Sequence, residues 1–197
     1  MRRIALLASM ASALLAGACS SPAPEPVYYL LRAEYSEGAR RLDPPFRAGL
    51  GRVVVAPYLL SSPGIVVETA PGVVRPAQRY RWAEPLDAGL RWFVRGEIAR
   101  ALGFEVGGGL VDRADWDYTI DVYISQLHGT MAGTALLEAA YVIRPTADRG
   151  QLVEYRFSRA VALDDEGYAA LVAAEQRLLR ALADAIAESL RAAAAAH

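Results

Sequence analysis

The alternation of apolar and polar residues predicts a sheet in the second half of the chain. A period of two runs through residues 118–125, 135–143 and 153–161, as is typical of strands with one buried and one wet face. The short connections between these segments predict an antiparallel meander. Arg159 interrupts the apolar face of the last segment, which predicts a bulge or an edge position there.

Shorter apolar segments fill the first half. A β-rich run at 27–31 precedes a long polar loop at 34–47. Residues 51–56 are apolar on both faces, which is typical of a buried central strand, and Pro57 ends this segment. Pro and Gly turns, among them one at Pro76, separate further short strand candidates, which lie at 65–68, 73–74, 80–82 and 104–106.

Two segments have apolar residues at helical spacing. The first begins at Pro85 and ends before Gly103, and the second spans about 165–191, with an acidic N-cap at 164–166. The Ala-rich tail at 192–196 is predicted to fray. The order βββ-α-βββ-α predicts a single-domain α/β (α+β) sandwich, a largely antiparallel sheet with two helices packed on one face.

Composition supports one folded domain and argues against nucleic-acid binding. The 197 residues are 54% hydrophobic and 22% charged, with one cysteine, which excludes a disulfide-stapled scaffold. All 21 basic residues are arginines, 22 residues are acidic, and the net charge is −1. No basic field exists to attract a phosphate backbone.

The N-terminus has the pattern of an export signal. Two arginines precede an apolar run at 4–15 that is too short to span a bilayer, and small residues follow at 16–18. The stretch from Leu14 to Cys19 resembles a bacterial lipobox, so we expect residues 1–18 to be a signal peptide and the Cys19 thiol to carry a covalent lipid. Ala16-Gly17-Ala18 also fits ordinary signal cleavage, which would leave Cys19 free.

The predicted anchor divides the rest of the chain into residues 19–26, the lipidated Cys and tether, and residues 27–197, the domain. Resemblance to bacterial lipoproteins implies a sorting rule by which Ser20 after Cys19 favours the outer membrane, here its periplasmic face. The Pro-rich tether reaches only about 20 Å, so the domain must work close to its own membrane. No cofactor besides the covalent lipid is expected.

No complete catalytic or metal-binding motif occurs in the sequence. His128 is the only histidine inside the predicted fold, and a lone histidine at a strand end is more often structural or solvated than catalytic. Four acids cluster within ten residues: Asp112, Asp115, Asp117 and Asp121. Asp117 and Asp121 share the wet face of one strand, so solvation explains them more simply than hydrolysis or metal binding. We therefore expect no enzyme, with a hydrolase using these acids as an alternative.

Several segments together resemble the PqiC-type ABC-transport auxiliary lipoproteins. The most specific part is Trp82-Ala83-Glu84-Pro85-Leu86 at a strand-to-helix junction, in which Trp82, Pro85 and Leu86 match the family motif. The other segments are the lipobox, 28–30, 53–59 and 65–67, and the similarity covers nearly all of the mature chain. Glu68-Thr69 departs from the pattern, because an Arg is expected there.

The resemblance implies a non-enzymatic outer-membrane lipoprotein that serves an MCE/ABC-type intermembrane lipid transport system and contributes to envelope integrity. Its implied partners are a periplasmic MCE-domain protein and an inner-membrane ABC permease or integral membrane subunit. A homo-oligomeric ring would match an oligomeric MCE partner by symmetry. The alternative is a lipoprotein activator of a peptidoglycan synthase, although such regulators generally have long tethers.

Two parts of the chain are candidates for partner contact or core packing. Tyr58 and Leu59 follow Pro57 and precede a Ser-Ser-Pro-Gly loop, so we expect them to be exposed apolar anchors at a partner interface. Trp82 is expected to pack in the core, between the sheet and the helix that begins at Pro85.

Overall fold

The computed structural model describes residues 24–33, 43–108, 116–147 and 152–196. The predicted signal peptide, Cys19, Asp112, Asp115 and most of the predicted loop at 34–47 lie outside the described residues. The strands are β1 (Val27–Tyr29), β2 (Ala48–Val55), β3 (Gly64–Ala70), β4 (Val73–Trp82), β5 (Tyr118–Thr130), β6 (Thr134–Pro145) and β7 (Val153–Ala162). The helices are α1 (Pro57–Leu60), α2 (Leu86–Leu102) and α3 (Tyr168–Ala195).

The seven strands form one mixed sheet in the order β1-β4-β3-β5-β6-β7, with β2 paired to β5 beside this path. Pairs β3–β4, β5–β6 and β6–β7 are antiparallel and account for most paired positions, whereas β1–β4, β2–β5 and β3–β5 are parallel. The predicted mixed α/β fold with a largely antiparallel sheet is confirmed.

The predicted meander is formed by β5, β6 and β7. Apolar residues at alternate positions of β5 are buried, among them Ile120 and Ile124, while Tyr123 between them is exposed. β7 lies at the edge of the sheet, and its pairing with β6 has no shift in register. The edge alternative for Arg159 is therefore confirmed and the bulge is wrong. The Arg159 guanidinium lies over the Phe157 ring, 5.3 Å from its centroid, which lets a charged side chain occupy the apolar face of an edge strand.

The two long helices pack against each other and on one face of the sheet. Gly103 ends α2 in the left-handed conformation at φ 81°, and its N–H donates to the Ala99 carbonyl, as a helix C-cap requires. The predicted α2 is confirmed to within a residue. α3 begins later than predicted, after Gly167 at φ 93°, and without a side-chain N-cap. It extends to Ala195, beyond the predicted end at Arg191, and fraying of residues 192–196 stays a prediction.

The segment predicted to be a buried central strand is not one. β2 pairs with β5 alone among the named strands, and Val54 on its outer face is 48% exposed. Leu50 and Val55 face the core, whereas Arg52 and Val54 are exposed on the outer face. Val54 is apolar although it is exposed, and such a residue gives the sequence pattern of a strand buried on both faces.

Two further strand boundaries differ from the prediction. β4 is a single strand that continues through Pro76, because the pairing with β3 jumps from Pro76 to Arg81 and this irregularity tolerates a missing N–H. Residues 104–106 form no strand. The chain there makes only a bridge between Gly107 and Gly49, although Phe104 and Val106 are buried.

Candidate functional site

The family-motif residues lie at the junction of β4 and α2, where Trp82 and Leu86 are in the core and Pro85 is exposed. Trp82 is buried, as the core-packing interpretation predicts, and its backbone N–H donates to the Pro63 carbonyl at 2.8 Å. Pro85 is the N-cap residue of α2, and its carbonyl accepts from the Gly89 N–H at 3.0 Å. Leu86 is also buried. This motif therefore fixes how the helix leaves the sheet.

The expected exposure of Tyr58 and Leu59 is wrong. Pro57 begins the short helix α1 instead of merely ending a strand, and this turn rotates Leu59 into the core, where it is 1% exposed. Tyr58 packs against the same core, and burial raises the pKa of its hydroxyl. Leu60 is the exposed apolar residue of the turn, at 47%. Partner contact through this helix stays a prediction, and Leu60 is the side chain available for it.

His128 is buried and serves the fold. Its Nδ1 lies 3.1 Å from the Gly129 carbonyl and its Nε2 lies 3.2 Å from Oε1 of Gln126. The Gln126 amide in turn donates to a Glu138 carboxylate oxygen at 2.7 Å. Both ring nitrogens thus have protein partners and the side chain is buried, which agrees with the structural interpretation and not with a solvated one.

The two acids of the cluster that fall within the described residues also hold the fold together. Asp117 accepts from the Arg47 backbone N–H at 2.8 Å. Asp121 accepts from the Arg52 backbone N–H at 2.7 Å and from the Arg144 guanidinium at 3.0 Å. Burial alone would raise the pKa of Asp121, but these donors outweigh burial and lower it. The carboxylate therefore stays ionised and links β2, β5 and β6, so solvation is the wrong explanation for Asp121. Asp117 is exposed, as the solvation explanation predicts.

Two buried carboxyl groups lie on the helices, where sequence reasoning missed them. Glu97 is 0% exposed on α2, and Glu175 is 1% exposed on α3. Glu97 is bonded to arginines, whereas Oε2 of Glu175 has no hydrogen-bond partner. The sequence signal for the burial of Glu175 is its spacing, because it lies four residues after Leu171 and three before Leu178, within the apolar stripe of the helix.

Three arginines of β4 lie beside the point at which the chain enters the domain. We call Arg75, Arg79 and Arg81 the β4 arginine strip. Nε of Arg79 donates to the Glu25 carbonyl at 3.0 Å. Arg75 and Arg81 line a shallow groove of about 450 Å³, which is otherwise bounded by Ser62, Pro63, Pro76, Ala77 and Gln78. Sequence reasoning missed this strip, whose signal was arginine at alternate positions near the end of a strand.

The described residues lack the arrangements that metal binding or membrane spanning needs. Within residues 24–33, 43–108, 116–147 and 152–196, no three His, Cys, Asp or Glu side chains converge to hold a metal ion. None of the helices in that part of the chain combines the length and apolar character that a membrane span requires.

Comparison with known proteins identifies a family. The family model described as ABC-type transport auxiliary lipoprotein component matches residues 28–187. None of the curated proteins matches the chain. A crystal structure of an uncharacterized protein is similar with a TM-score of 0.71 and 21% identity, covering 85% of this chain and 99% of the other.

A second similar structure is that of a Xanthomonas campestris protein of the DUF330 family. Its TM-score is 0.63 at 17% identity, and the match covers 81% of this chain and 92% of the other. At these identities the two structures support the fold alone.

Proposed function

The chain belongs to the family of ABC-type transport auxiliary lipoprotein components, and we propose that it is the outer-membrane-anchored, non-enzymatic subunit of an MCE-type lipid transport system. In this role the domain docks a periplasmic MCE-domain protein that works with an inner-membrane ABC permease or integral membrane subunit. The family match over residues 28–187 carries the proposal. The lipobox at Cys19 and the sorting residue Ser20 supply the anchor and the choice of membrane.

The start of the domain supports a short tether. Because Arg79 holds the Glu25 carbonyl, the chain is attached to β4 only six residues after Cys19. Six extended residues span at most about 20 Å. An acylated Cys19 would therefore keep this end of the domain next to its own bilayer, so that contact with the opposite membrane requires a partner.

The polar side chains of the described domain support a binding role. His128, Asp117 and Asp121 each bond to the protein itself, which supports a structural role for all three. The domain would therefore bind other molecules through its surface, which includes the exposed side chain of Leu60.

Acylation is tested by mass spectrometry of the chain purified from membranes. The expected product begins at Cys19 and carries thioether-linked diacylglycerol with a third acyl chain on its amino group. On density-gradient separation, this form should fractionate with outer membranes, and Cys19→Ala should move the chain to the soluble periplasm without loss of fold. A mature chain with an unmodified first residue would contradict the proposal.

Docking is tested by pull-down of the MCE-domain protein of the same bacterium with the acylated chain. Leu60→Glu should reduce capture at least about tenfold, because it places a charge in the proposed apolar contact. Leu152→Glu is the matched control, since Leu152 is 60% exposed and directly precedes the edge strand β7, which β5 and β6 separate from β2 and the α1 turn that follows it. Absence of capture by the unsubstituted chain would refute the role, and equal loss in both variants would refute the contact at α1.

A further inference from the structure

We infer that the β4 arginine strip, with Tyr28 beside it, is a docking surface for anionic phospholipid headgroups of the membrane that holds the anchor. The inference deepens the proposed function and rests on its anchor for the approach to the bilayer. The ligand that we expect at this surface is the layer of phosphate groups at the face of a lipid membrane.

The strip lies where the chain leaves the proposed anchor. Glu25, whose carbonyl is bound by Arg79, is separated from Cys19 by a stretch that reaches about 20 Å when fully extended. Because β1 runs parallel to β4, with Val27 beside Tyr80, the chain enters the domain along the strip itself. No other strand edge of the described domain is tied so closely to the N-terminal segment.

The three arginines of the strip are not neutralised by carboxylates of the described residues, so their charges can bind an anionic ligand. Arg75 and Arg79 are exposed and Arg81 is half-buried. Arg79 and Arg81 donate to the carbonyls of Glu25 and Gln78, which are neutral acceptors. Within the described residues none of the three forms a salt bridge, whereas Arg32, Arg100 and Arg144 elsewhere are paired with carboxylates. The one acid on the neighbouring strand, Glu68, accepts from the Gly72 N–H at 2.8 Å instead.

The aromatic neighbour suits an interface between water and lipid. Tyr28 is 57% exposed, and it is the β1 residue paired with Arg81, so the two side chains share the face of the sheet that points away from the core. Their neighbours Tyr29 and Trp82 pack on the core side. Tyrosine with arginine is the combination found at the headgroup level of membranes, where the ring meets the acyl boundary and the guanidinium meets phosphate.

The formal net charge is −1 for the full chain and −3 once Arg2 and Arg3 leave with the signal peptide (19 basic against 22 acidic residues), and neither value prevents such a contact. Charges separated by more than a Debye length of about 8 Å in physiological salt are largely screened. A surface within that distance of the strip therefore experiences chiefly the nearby charges, which are the three arginines and the acids Glu25 and Glu68, and not the acids distributed over the rest of the molecule. The short tether, with its reach of about 20 Å, would let the strip come within this range often, whereas a freely diffusing domain would reach it only rarely.

The test measures binding of the non-acylated mature chain, residues 19–197 with Cys19→Ser, to lipid vesicles. All described contacts lie within residues 24–196, so removal of the signal breaks none of them. Binding to vesicles of phosphatidylcholine with phosphatidylglycerol should exceed binding to phosphatidylcholine alone, and high salt should abolish the difference. The double variant R75A/R81A should weaken binding about 25-fold, on the basis of about fivefold for each arginine near an anionic surface. It leaves Arg79 and its bond to Glu25 intact.

The matched control is R156A/R159A on β7, which removes the same charge at the opposite edge of the sheet. It should change binding less than about twofold, and R75K/R81K should stay close to the unsubstituted chain because the charge is kept. Thermal melting of each variant separates lost binding from lost fold. Equal weakening by the two alanine pairs, or no preference for anionic vesicles, would overturn the inference.

Two further arms separate the ligand sources. Inorganic phosphate that displaces the chain from vesicles more effectively than chloride of equal ionic strength would show a free-ion site and overturn the lipid assignment. Loss of capture of the MCE-domain protein by R75A/R81A, with vesicle binding intact, would assign the strip to a protein partner and overturn it too. Acylated Cys19 without vesicle binding refutes this inference alone, and unmodified Cys19 refutes the proposed function.

Discussion

Glu175 is a titratable side chain placed where water cannot reach it. It lies among the apolar residues of α3, with Oε2 lacking a hydrogen-bond partner, and burial raises its pKa from 4.5 to about 8. The folded chain therefore holds this carboxyl protonated at neutral pH, whereas the unfolded chain has released the proton. Because the folded state binds more protons between pH 4.5 and about 8, its stability falls as the pH rises through that window.

Glu175→Gln should remove this dependence. An amide is neutral at every pH and nearly the same size as the protonated acid, so the variant should gain stability at pH 8 and change little at pH 4.5. The expected gain at pH 8 is on the order of 2–4 kcal/mol, since each unit of pKa shift corresponds to about 1.4 kcal/mol. Urea unfolding of both chains at several pH values measures it.

The control for this effect is Glu188→Gln. Glu188 is exposed on the same helix, so its substitution removes the same charge without altering a buried group. We expect the difference in unfolding free energy between low and high pH to stay as in the unsubstituted chain. A pH dependence that persists in Glu175→Gln would show that the buried carboxyl is not its source.

At the scale of elements, a charged link joins the two long helices. The fully buried Glu97 of α2 accepts from Nε of Arg100 at 2.6 Å and from Nε of Arg180 on α3 at 3.4 Å. Arg100 also donates to Asp184 of α3 at 2.7 Å. The guanidinium groups reach solvent, with side chains 39% and 31% exposed, while the carboxylate does not. The link therefore orients α3 on α2 at the rim of an otherwise apolar contact.

Glu97→Gln should destabilise the fold by about 1–3 kcal/mol. The loss is smaller than for a wholly buried ion pair, because both arginines can turn to water once the carboxylate is gone. Asp184→Asn is the matched variant, since it removes the other acceptor of Arg100 at a 58% exposed site and should cost less than about 0.5 kcal/mol. Denaturant titration compares the two, and equal costs would show that burial of Glu97 does not govern the link.

The elements that the sequence predicts well are those with a local signal. The alternation of apolar and polar residues along β5 and β6 involves residues that are close in the chain. The same holds for Pro85 and Gly103, which mark the two ends of α2. The structure confirms all three elements. Pairing partners are not local. The sequence of β2 does not show that this strand pairs in parallel with β5. Nor does it show that Val54 is exposed, because a valine in a strand has the same sequence pattern whether it is exposed or buried.

The candidate site was harder to predict for the same reason. Pro57 can end a strand or begin a helix, and the choice decides whether Leu59 faces solvent or core. The β4 arginine strip has meaning only once β1 is known to lie beside it, and that parallel pairing joins residues about fifty positions apart. Motif residues with local roles, such as Trp82 and Pro85, lie where the motif predicts them.

At the scale of the whole molecule, the sheet separates the proposed membrane end of the domain from its far edge. β1 and β4 are at one end of the strand order and β7 is at the other. A lipid on Cys19 together with headgroups on the β4 arginine strip would fix the domain at two points. One attachment alone would leave it free to turn about its tether, whereas two define which edge faces the periplasm.

This orientation can be measured, because Cys19 is the only cysteine and acylation blocks its thiol. A cysteine introduced at Gln78 or at Ser158, both exposed, would then be the single site for a fluorescent label. In vesicles carrying the acylated chain and a headgroup-linked quencher, we expect strong quenching at Gln78→Cys and weak quenching at Ser158→Cys. Adding R75A/R81A should lower quenching at Gln78→Cys, because the anchor alone permits rotation. Equal quenching at the two labels in the parent chain would show that the domain has no fixed orientation on its membrane.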